Sequence, residues 1–234
     1  MPLSKRTGNM YDWVTHTWSC LQGQCPHECS YCYVAKGRWT RDNPAYKGEP
    51  RLEPNFDKVK LGRDRTIFVA HTSDLFAVGV PRDVVTAILG KCSEYPCNDY
   101  VIQTKNPLAV DWERLPRKYF MGTTIETDND LITCLQSKAP APAWRARGLR
   151  NIKDQGGPIG TFITIEPIMK FDHKTMVDLI RMAEPSWVNI GADSKGCNLP
   201  EPTWNEVQDL IHSIKDLGIE IREKSNLDRL RRAA

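Results

Sequence analysis

The sequence predicts an α/β fold, a partial (β/α)6 barrel of the TIM type with parallel strands. Three observations carry this expectation: short runs rich in apolar and β-branched residues, amphipathic helical patterns between them, and polar residues gathered just after the runs. The runs are Trp13 to Trp18, Ile67 to His71, Tyr100 to Thr104, Tyr119 to Ile125, Thr161 to Ile165, Trp187 to Ile190 and Ile219 to Ile221. Several are almost continuous in buried-type residues, as in parallel strands covered on both faces; a strand with one wet face alternates instead.

The helical patterns fill the gaps. PRDVVTAILGKC carries Pro81 at its start, where a missing N–H costs nothing, and HKTMVDLIRMAEP is stopped by Pro185. TWNEVQDLIHSIKDLG has the clearest boundaries, with Thr203 as N-cap, Glu206 completing a capping box and Gly218 as the stop. Asp128 reads as the cap of a further helix.

Strand-helix units in series force parallel pairing with right-handed crossovers. A complete eight-unit barrel would be tight in 234 residues, because Lys36 to Arg65 is mainly a Pro- and charge-rich loop. With no fixed-period repeat and no long linker, residues 1–234 are expected to form a single domain. In such folds the loops beyond the carboxyl ends of the strands build the site. The polar residues there are Ser73, Asp74, Thr104, Lys105, Thr124, Glu126, Glu166, Asp193, Ser194 and Glu223, with helix capping as the alternative role for each.

Composition narrows the class. Apolar residues make up 40% and charged residues 26%, an ordinary balance for a water-soluble chain. No apolar run approaches the roughly 18 residues that span a bilayer, and MPLSKRTGNMYDW lacks the apolar core of a signal peptide, so the expected location is cytoplasmic. The formal charge of +3 does not demand a polyanionic partner, but it is unevenly spread. Arg145, Arg147, Arg150 and Lys153 follow one another without an intervening acid, and the tail from Arg222 carries Lys224, Arg229, Arg231 and Arg232 against Glu223 and Asp228. Such runs suit phosphate contacts or a solvated helix face. The scattered histidines form no Ser/His/Asp arrangement, and Gly156, Gly157 and Gly160 bracket Pro158 as a turn rather than a phosphate loop.

Eight cysteines, several close to the N-terminus, point to metal binding more than to a disulfide scaffold. In WSCLQGQCPHECSYCYV, Cys25, Cys29 and Cys32 form C-x3-C-x2-C on a short loop after the first strand. Thiolates are the usual ligands of iron-sulfur clusters, and three of them leave one iron open. With Cys20 the segment would instead supply four thiolates to a structural zinc ion, or Cys20 ends the strand as a small buried residue.

With Tyr31 in the aromatic position before the last cysteine, the loop resembles the C-x3-C-x-φ-C signature of the radical S-adenosylmethionine (SAM) superfamily. The resemblance implies a partial barrel and a [4Fe-4S] cluster on Cys25, Cys29 and Cys32 whose open iron chelates SAM. It also implies reductive cleavage of SAM to a 5'-deoxyadenosyl radical that takes hydrogen from a substrate, with electrons from a donor of the flavodoxin or ferredoxin type. Where the family often carries Gly-Gly-Glu, this chain has HTSDLF, so Ser73 and Asp74 become the candidates for the SAM amino group. Glu126 and Glu166 are implied ribose ligands, and Lys105 the partner of the SAM carboxylate.

More narrowly, SYCY, TSDLF, QTKNP, TTIET, ITIEP and GADS together resemble a phage-associated radical SAM family of uncharacterised function, and more loosely spore photoproduct lyase. Both likenesses lean toward a nucleic acid base or nucleotide as substrate, with DNA hypermodification the specific candidate by association. Arg145, Arg147 and Arg150 are then expected to rim the mouth. Cys197, after the GADSKG segment, is placed to return a hydrogen atom to a substrate radical, or is a passive loop residue. Cys92, Cys97 and Cys134 read as buried structural thiols, with an auxiliary cluster including Cys197 as the alternative, and His27 as a residue that packs or hydrogen-bonds within the cysteine loop. A non-catalytic iron-sulfur or zinc module serving a partner protein is the competing class.

Overall fold

All seven runs enter one eight-stranded sheet of the computed structural model, which describes residues 3–8, 10–38 and 40–232. The strands are β1 (Leu3–Lys5), β2 (His16–Trp18), β5 (Thr66–Val69), β6 (Asp99–Gln103), β7 (Tyr119–Thr124), β8 (Gly160–Ile165), β9 (Trp187–Ile190) and β10 (Glu220–Glu223), in that spatial order. From β2 to β10 every neighbouring pair is parallel, and β1 adds antiparallel to the outer edge of β2. The sheet begins at β1 and ends at β10, so it is a partial barrel, as expected. A small antiparallel ladder of β3 (Leu21–Gln22) and β4 (Arg51–Leu52) ties the segment just before the cysteines to the middle of the long loop.

The crossovers are helical where the sequence lets them be. They are α2 (Arg82–Ser93), α3 (Asp130–Gln136) with α4 (Pro142–Gly156), α5 (His173–Ala183) and α6 (Trp204–Asp216); α1 (Tyr33–Lys36) follows the cysteines and α7 (Asp228–Arg232) follows the last strand. Thr203 and Glu206 form the expected capping box on α6, and Gly218 at φ +74° turns the chain out of it. Pro81 stands at the N-cap of α2 rather than inside it. Asp128 does not cap α3: that role falls to Asn129, whose side chain accepts from the Ile132 N–H, while Asp128 accepts from the N–H of Asp172 at 2.9 Å. Between β6 and β7 the connection is two 3-10 turns, Pro107–Ala109 and Trp112–Arg114, in a segment that Pro107 and Pro116 keep from α-helix. Among the described residues no helix is long and apolar enough to cross a membrane.

Alternation along each strand divides the core in two. Ile102, Met121, Ile163 and Val188 face outward and pack with Ile88, Leu149, Ile180 and Leu210 of the helices. Val101, Phe120, Phe162 and Trp187 face the concave side. The expected strand Trp13 to Trp18 starts only at His16, because Tyr11 and Trp13 turn into that concavity and close its floor. Trp13 sits 5.0 Å from Phe120 and 5.4 Å from Trp187, both edge-on, and Tyr11 stacks on Phe68 at 6.0 Å. Above this aromatic floor the same period places Gln103, Thr124 and Thr164, so the interior changes from apolar to polar toward the carboxyl ends of the strands.

Candidate active site

At that polar end lies a cavity of about 570 Å³. The cysteine loop forms one wall, the residues after β5 and β6 a second, and those after β8, β9 and β10 the opposite one.

The cysteine loop is held by its backbone. The Glu28 N–H donates to the Cys25 carbonyl at 3.2 Å and the Cys32 N–H to that of Cys29 at 3.1 Å, making two tight turns, with Glu28 itself at φ +45°. The region after α3 anchors it: Ser30 N–H donates to the Gln136 carbonyl and Lys138 N–H to the His27 carbonyl, each at 2.8 Å. Cys25, Cys29 and Cys32 are all half-buried and all line the cavity. Cys20 is fully buried in the main core, where burial pushes its thiol up to about 12. Burial also raises the Cys25 thiol to about 11, with the nearby Asp74 charge adding to it, and raises Cys29 against the pull of Lys105.

Three thiols on one loop facing one cavity fit an iron-sulfur cluster, in which each binds a different iron. Among the described residues no group of three or more His, Cys, Asp or Glu converges as the ligands of a single ion do. Cys92 is buried beside Cys20, whereas Cys97 and Cys134 are exposed, contrary to the expectation of buried thiols. Cys134 lies on the outer side of the short α3 with Leu131 and Leu135, and Cys97 lies in the turn before β6.

Two buried acids tie this loop to the strand ends. His27 Nε2 lies 2.9 Å from Asp74 Oδ2, so its ring bonds not within the cysteine loop but to the segment after β5, and Asp74 also accepts the N–H groups of Lys105 (2.7 Å) and Phe76 (3.0 Å). Burial opposes ionisation of Asp74, but His27, the Lys105 N–H and Thr104 hold its carboxyl below the usual range. Glu126 is only 2% exposed and does not line the cavity. It accepts from the Tyr31 hydroxyl at 2.5 Å, from the Lys105 ammonium and from Arg145 Nη1 at 2.7 Å. Burial again opposes the charge, and the two cations override it, bringing Glu126 down to about 2.

On the opposite wall Glu166 takes Lys224 Nζ on one oxygen and Asn226 Nδ2 on the other, both at 2.7 Å. A side chain at position 191 would press on this pair, since a Cβ there would lie 2.8 Å from Asn226 Oδ1 and 3.0 Å from Glu166 Cδ, so both side-chain ends would have to shift. Tyr11 closes the base of the wall, its hydroxyl 2.9 Å from Gln103 Oε1 and 2.7 Å from Thr164 Oγ1, with Lys224 Nζ 5.1 Å from its ring. Ser73 lines the cavity beside His71, whose imidazole burial brings down to about 4.

Several placements differ from expectation. Glu223 faces outward and pairs with Arg231, and its neighbour Lys224 is the residue that faces in. Alternation from Arg222, whose guanidinium covers Trp187 at 4.3 Å, was the available signal. Cys197 lies just beyond Lys195, the last cavity-lining residue of its loop, and its N–H is bonded to Asp193. The arginines of α4 do not rim the mouth. Arg145 is fully buried against Glu126, Arg147 lies over Trp144, and Arg150 pairs with Asp154 (2.8 Å) and Glu184 (2.5 Å) toward the amino ends of the strands. The helix runs antiparallel to the strands, so its first turn alone reaches the mouth. Tyr11, His71 and Asn226 were not singled out for the site from the sequence, and Arg145 and Lys224 entered only as members of basic runs, Arg145 as a residue of the rim.

No protein-family model matches the chain, and no curated protein does. Solved structures share its fold. A spore photoproduct lyase complexed with dinucleoside spore photoproduct superposes with a TM-score of 0.57 at 13% identity, over 90% of this chain and 64% of that one. A point mutant of spore photoproduct lyase gives 0.65 at 11% identity, over 94% and 80%. Streptococcus suis SuiB bound to its precursor peptide SuiA gives 0.62 at 11% identity, over 93% and 50%, and SuiB has also been solved bound to S-adenosylmethionine. The chain thus spans about 64% of the length of the first of these and half that of SuiB.

Proposed function

We propose that this chain is a radical SAM enzyme in which Cys25, Cys29 and Cys32 hold a [4Fe-4S] cluster and the cavity binds SAM. The observation that carries the reading is the convergence of those three thiols with Asp74, Lys105 and Glu166 on one cavity at the carboxyl end of a partial barrel. Its structural neighbours spore photoproduct lyase and SuiB are radical SAM enzymes, and both have been solved with SAM bound. When bound, the reduced cluster supplies one electron that cleaves SAM to methionine and a 5'-deoxyadenosyl radical able to take hydrogen from a substrate.

The chain's own residues bind and orient. Lys105 offers the ammonium for the SAM carboxylate, and Ser73 with Asp74 offers acceptors for the amino group. Glu166, steadied by Lys224 and Asn226, is the candidate ribose ligand, while Glu126 acts from behind the wall. Tyr11, Phe68 and Met10 line the cavity where water must be kept from the reacting groups. Cys197 is the candidate hydrogen donor to a substrate radical, and a flavodoxin- or ferredoxin-type protein the electron donor. Anaerobically reconstituted protein given dithionite and SAM should release 5'-deoxyadenosine and methionine, and replacing all three cysteines with Ala should abolish both. Equal turnover in the triple variant, or a colourless protein that takes up zinc and no iron, would return the chain to the non-catalytic class.

For the substrate we propose a nucleic acid base, DNA hypermodification being the candidate reaction class. The neighbour that holds a dinucleoside lesion supports this, as do Lys36 at the end of α1 and Lys195 in the loop after β9, both exposed and both near Cys197, whose thiol burial and Asp193 raise against their pull. In fluorescence anisotropy with single-stranded and duplex DNA, affinity should fall steeply with salt, with a log-log slope of about −0.9 per phosphate neutralised on the duplex. Lys36→Glu with Lys195→Glu should weaken binding, whereas Arg147→Glu with Arg150→Glu should not. Absence of binding at low salt removes the nucleic-acid substrate while leaving the radical chemistry to be decided by the first experiment.

A further inference from the structure

Arg145 poses an energetic question. It is a fully buried arginine on α4, and a charge taken out of water costs several kcal/mol unless it is paired. Its Nη1 donates to Glu126 at 2.7 Å and to the Thr124 carbonyl at 3.0 Å, its Nε to the Pro140 carbonyl at 2.6 Å, and its Nη2 has no partner. Glu126 is at the same time bonded to Lys105, whose ammonium lies 5.4 Å from the Tyr31 ring on the cavity wall. One carboxylate therefore serves two cations, −1 against +2, and the cluster of side chains has a formal excess of one positive charge. Arg145 is sealed behind the wall and Lys105 lines the cavity, so the excess can be met by an anion only on the Lys105 side.

We propose that Arg145 is a positioning residue that neutralises Glu126 from behind and so keeps the Lys105 charge available to an anionic group in the cavity, the carboxylate of SAM. Without Arg145, Glu126 and Lys105 would form a closed neutral pair and the wall would lose its attraction for a carboxylate. The inference rests on the radical SAM reading and adds a residue with no contact to the cavity. The same arrangement orients Tyr31, because its hydroxyl bonds to the Glu126 oxygen that also takes Lys105.

The test follows the charge. Binding of SAM and of 5'-methylthioadenosine, which keeps the nucleoside and lacks the carboxylate, is measured on anaerobically reconstituted wild type, Arg145→Met, and the double variant Glu126→Gln with Arg145→Met. Iron is assayed in each. Arg145→Met sets the formal excess to zero and should weaken SAM about tenfold while leaving 5'-methylthioadenosine unchanged. The double variant restores the excess on Lys105 and should bind SAM within about threefold of wild type. Both variants lose the bonds to the Pro140 and Thr124 carbonyls equally, so a purely structural cost appears in both and for both ligands. Unchanged SAM affinity in Arg145→Met, a double variant weaker than the single, parallel loss of both ligands, or loss only in proportion to iron would each overturn the proposal. If Arg145→Met does not fold, the double variant decides alone. Wild type that holds iron yet fails to bind SAM would sink the radical SAM reading, and this inference with it.

Discussion

His27 Nε2 stands 2.9 Å from Asp74 Oδ2, so the cysteine loop is fastened through its interior to the segment that follows β5. Asp74 takes two backbone N–H groups as well, and its removal would leave three buried donors without a partner. Asp74→Ala should cost about 2–4 kcal/mol of stability. In the radical SAM reading it should also reduce iron retained per chain after reconstitution. Iron assay and urea titration check this, and an unaltered iron content would show that the loop holds its position without Asp74.

Cys20 and Cys29 should part company in iron binding. Cys20 lies in the core and off the cavity, so Cys20→Ser should keep iron near wild type while burying a hydroxyl at a cost of about 1–3 kcal/mol. Cys29→Ser should do the reverse. Iron loss in the Cys20 variant equal to that of the Cys29 variant would move Cys20 into the ligand set.

Glu126 makes stability depend on acid. Its folded value of about 2 lies below its ordinary 4.5, so the stabilisation is fully present above pH 4.5 and is lost as pH falls through about 2. Asp74, also lowered, acts in the same direction. Relative to Glu126→Gln, whatever advantage the wild type has near neutrality should shrink steadily as the pH falls below 4.5. Urea unfolding across that range measures it; a constant difference would mean that the charge on Glu126 contributes nothing.

Gly122 and Phe162 are register partners on β7 and β8, and a Cβ on Gly122 would lie 2.2 Å from Phe162 Cζ. The Phe162 ring fills the space that every other residue at 122 would claim. Gly122→Ala should therefore destabilise by about 1–3 kcal/mol, and Phe162→Leu should recover part of this in the double variant. Additive costs in the double-mutant cycle would contradict direct competition for one space.

The arithmetic of alternation explains which site residues were legible beforehand. Lys105 and Glu166 follow plainly apolar strands, and a residue just past such a strand has few places to go. The run Ile219 to Ile221 is short and lacks that certainty, so a one-residue slip chose Glu223 over Lys224. Arg145, expected at the mouth with Arg147 and Arg150, could have been told apart from them, since Pro142, Ala146, Leu149 and Ile152 place it on the buried stripe of α4. Tyr11 carried no such signal: its role comes from a chain turn into the concavity that no local preference announces.

What the chain alone determines is whatever depends on neighbours in sequence. The cysteine spacing, the capping box of α6 and the apolar runs of the sheet all act within a few residues; the capping box stands where it was read, and every run supplies a strand, that of Trp13 to Trp18 only from His16. Tertiary structure decided whatever depends on charge partners brought from afar. Arg145, Arg147 and Arg150 are alike as a string of cations, yet packing buries the first against Glu126, lays the second on Trp144 and pairs the third with Asp154 and Glu184. A guanidinium in water is cheap to leave alone and in a core is costly without an anion, so the fold, by choosing which one is dehydrated, chose its partner.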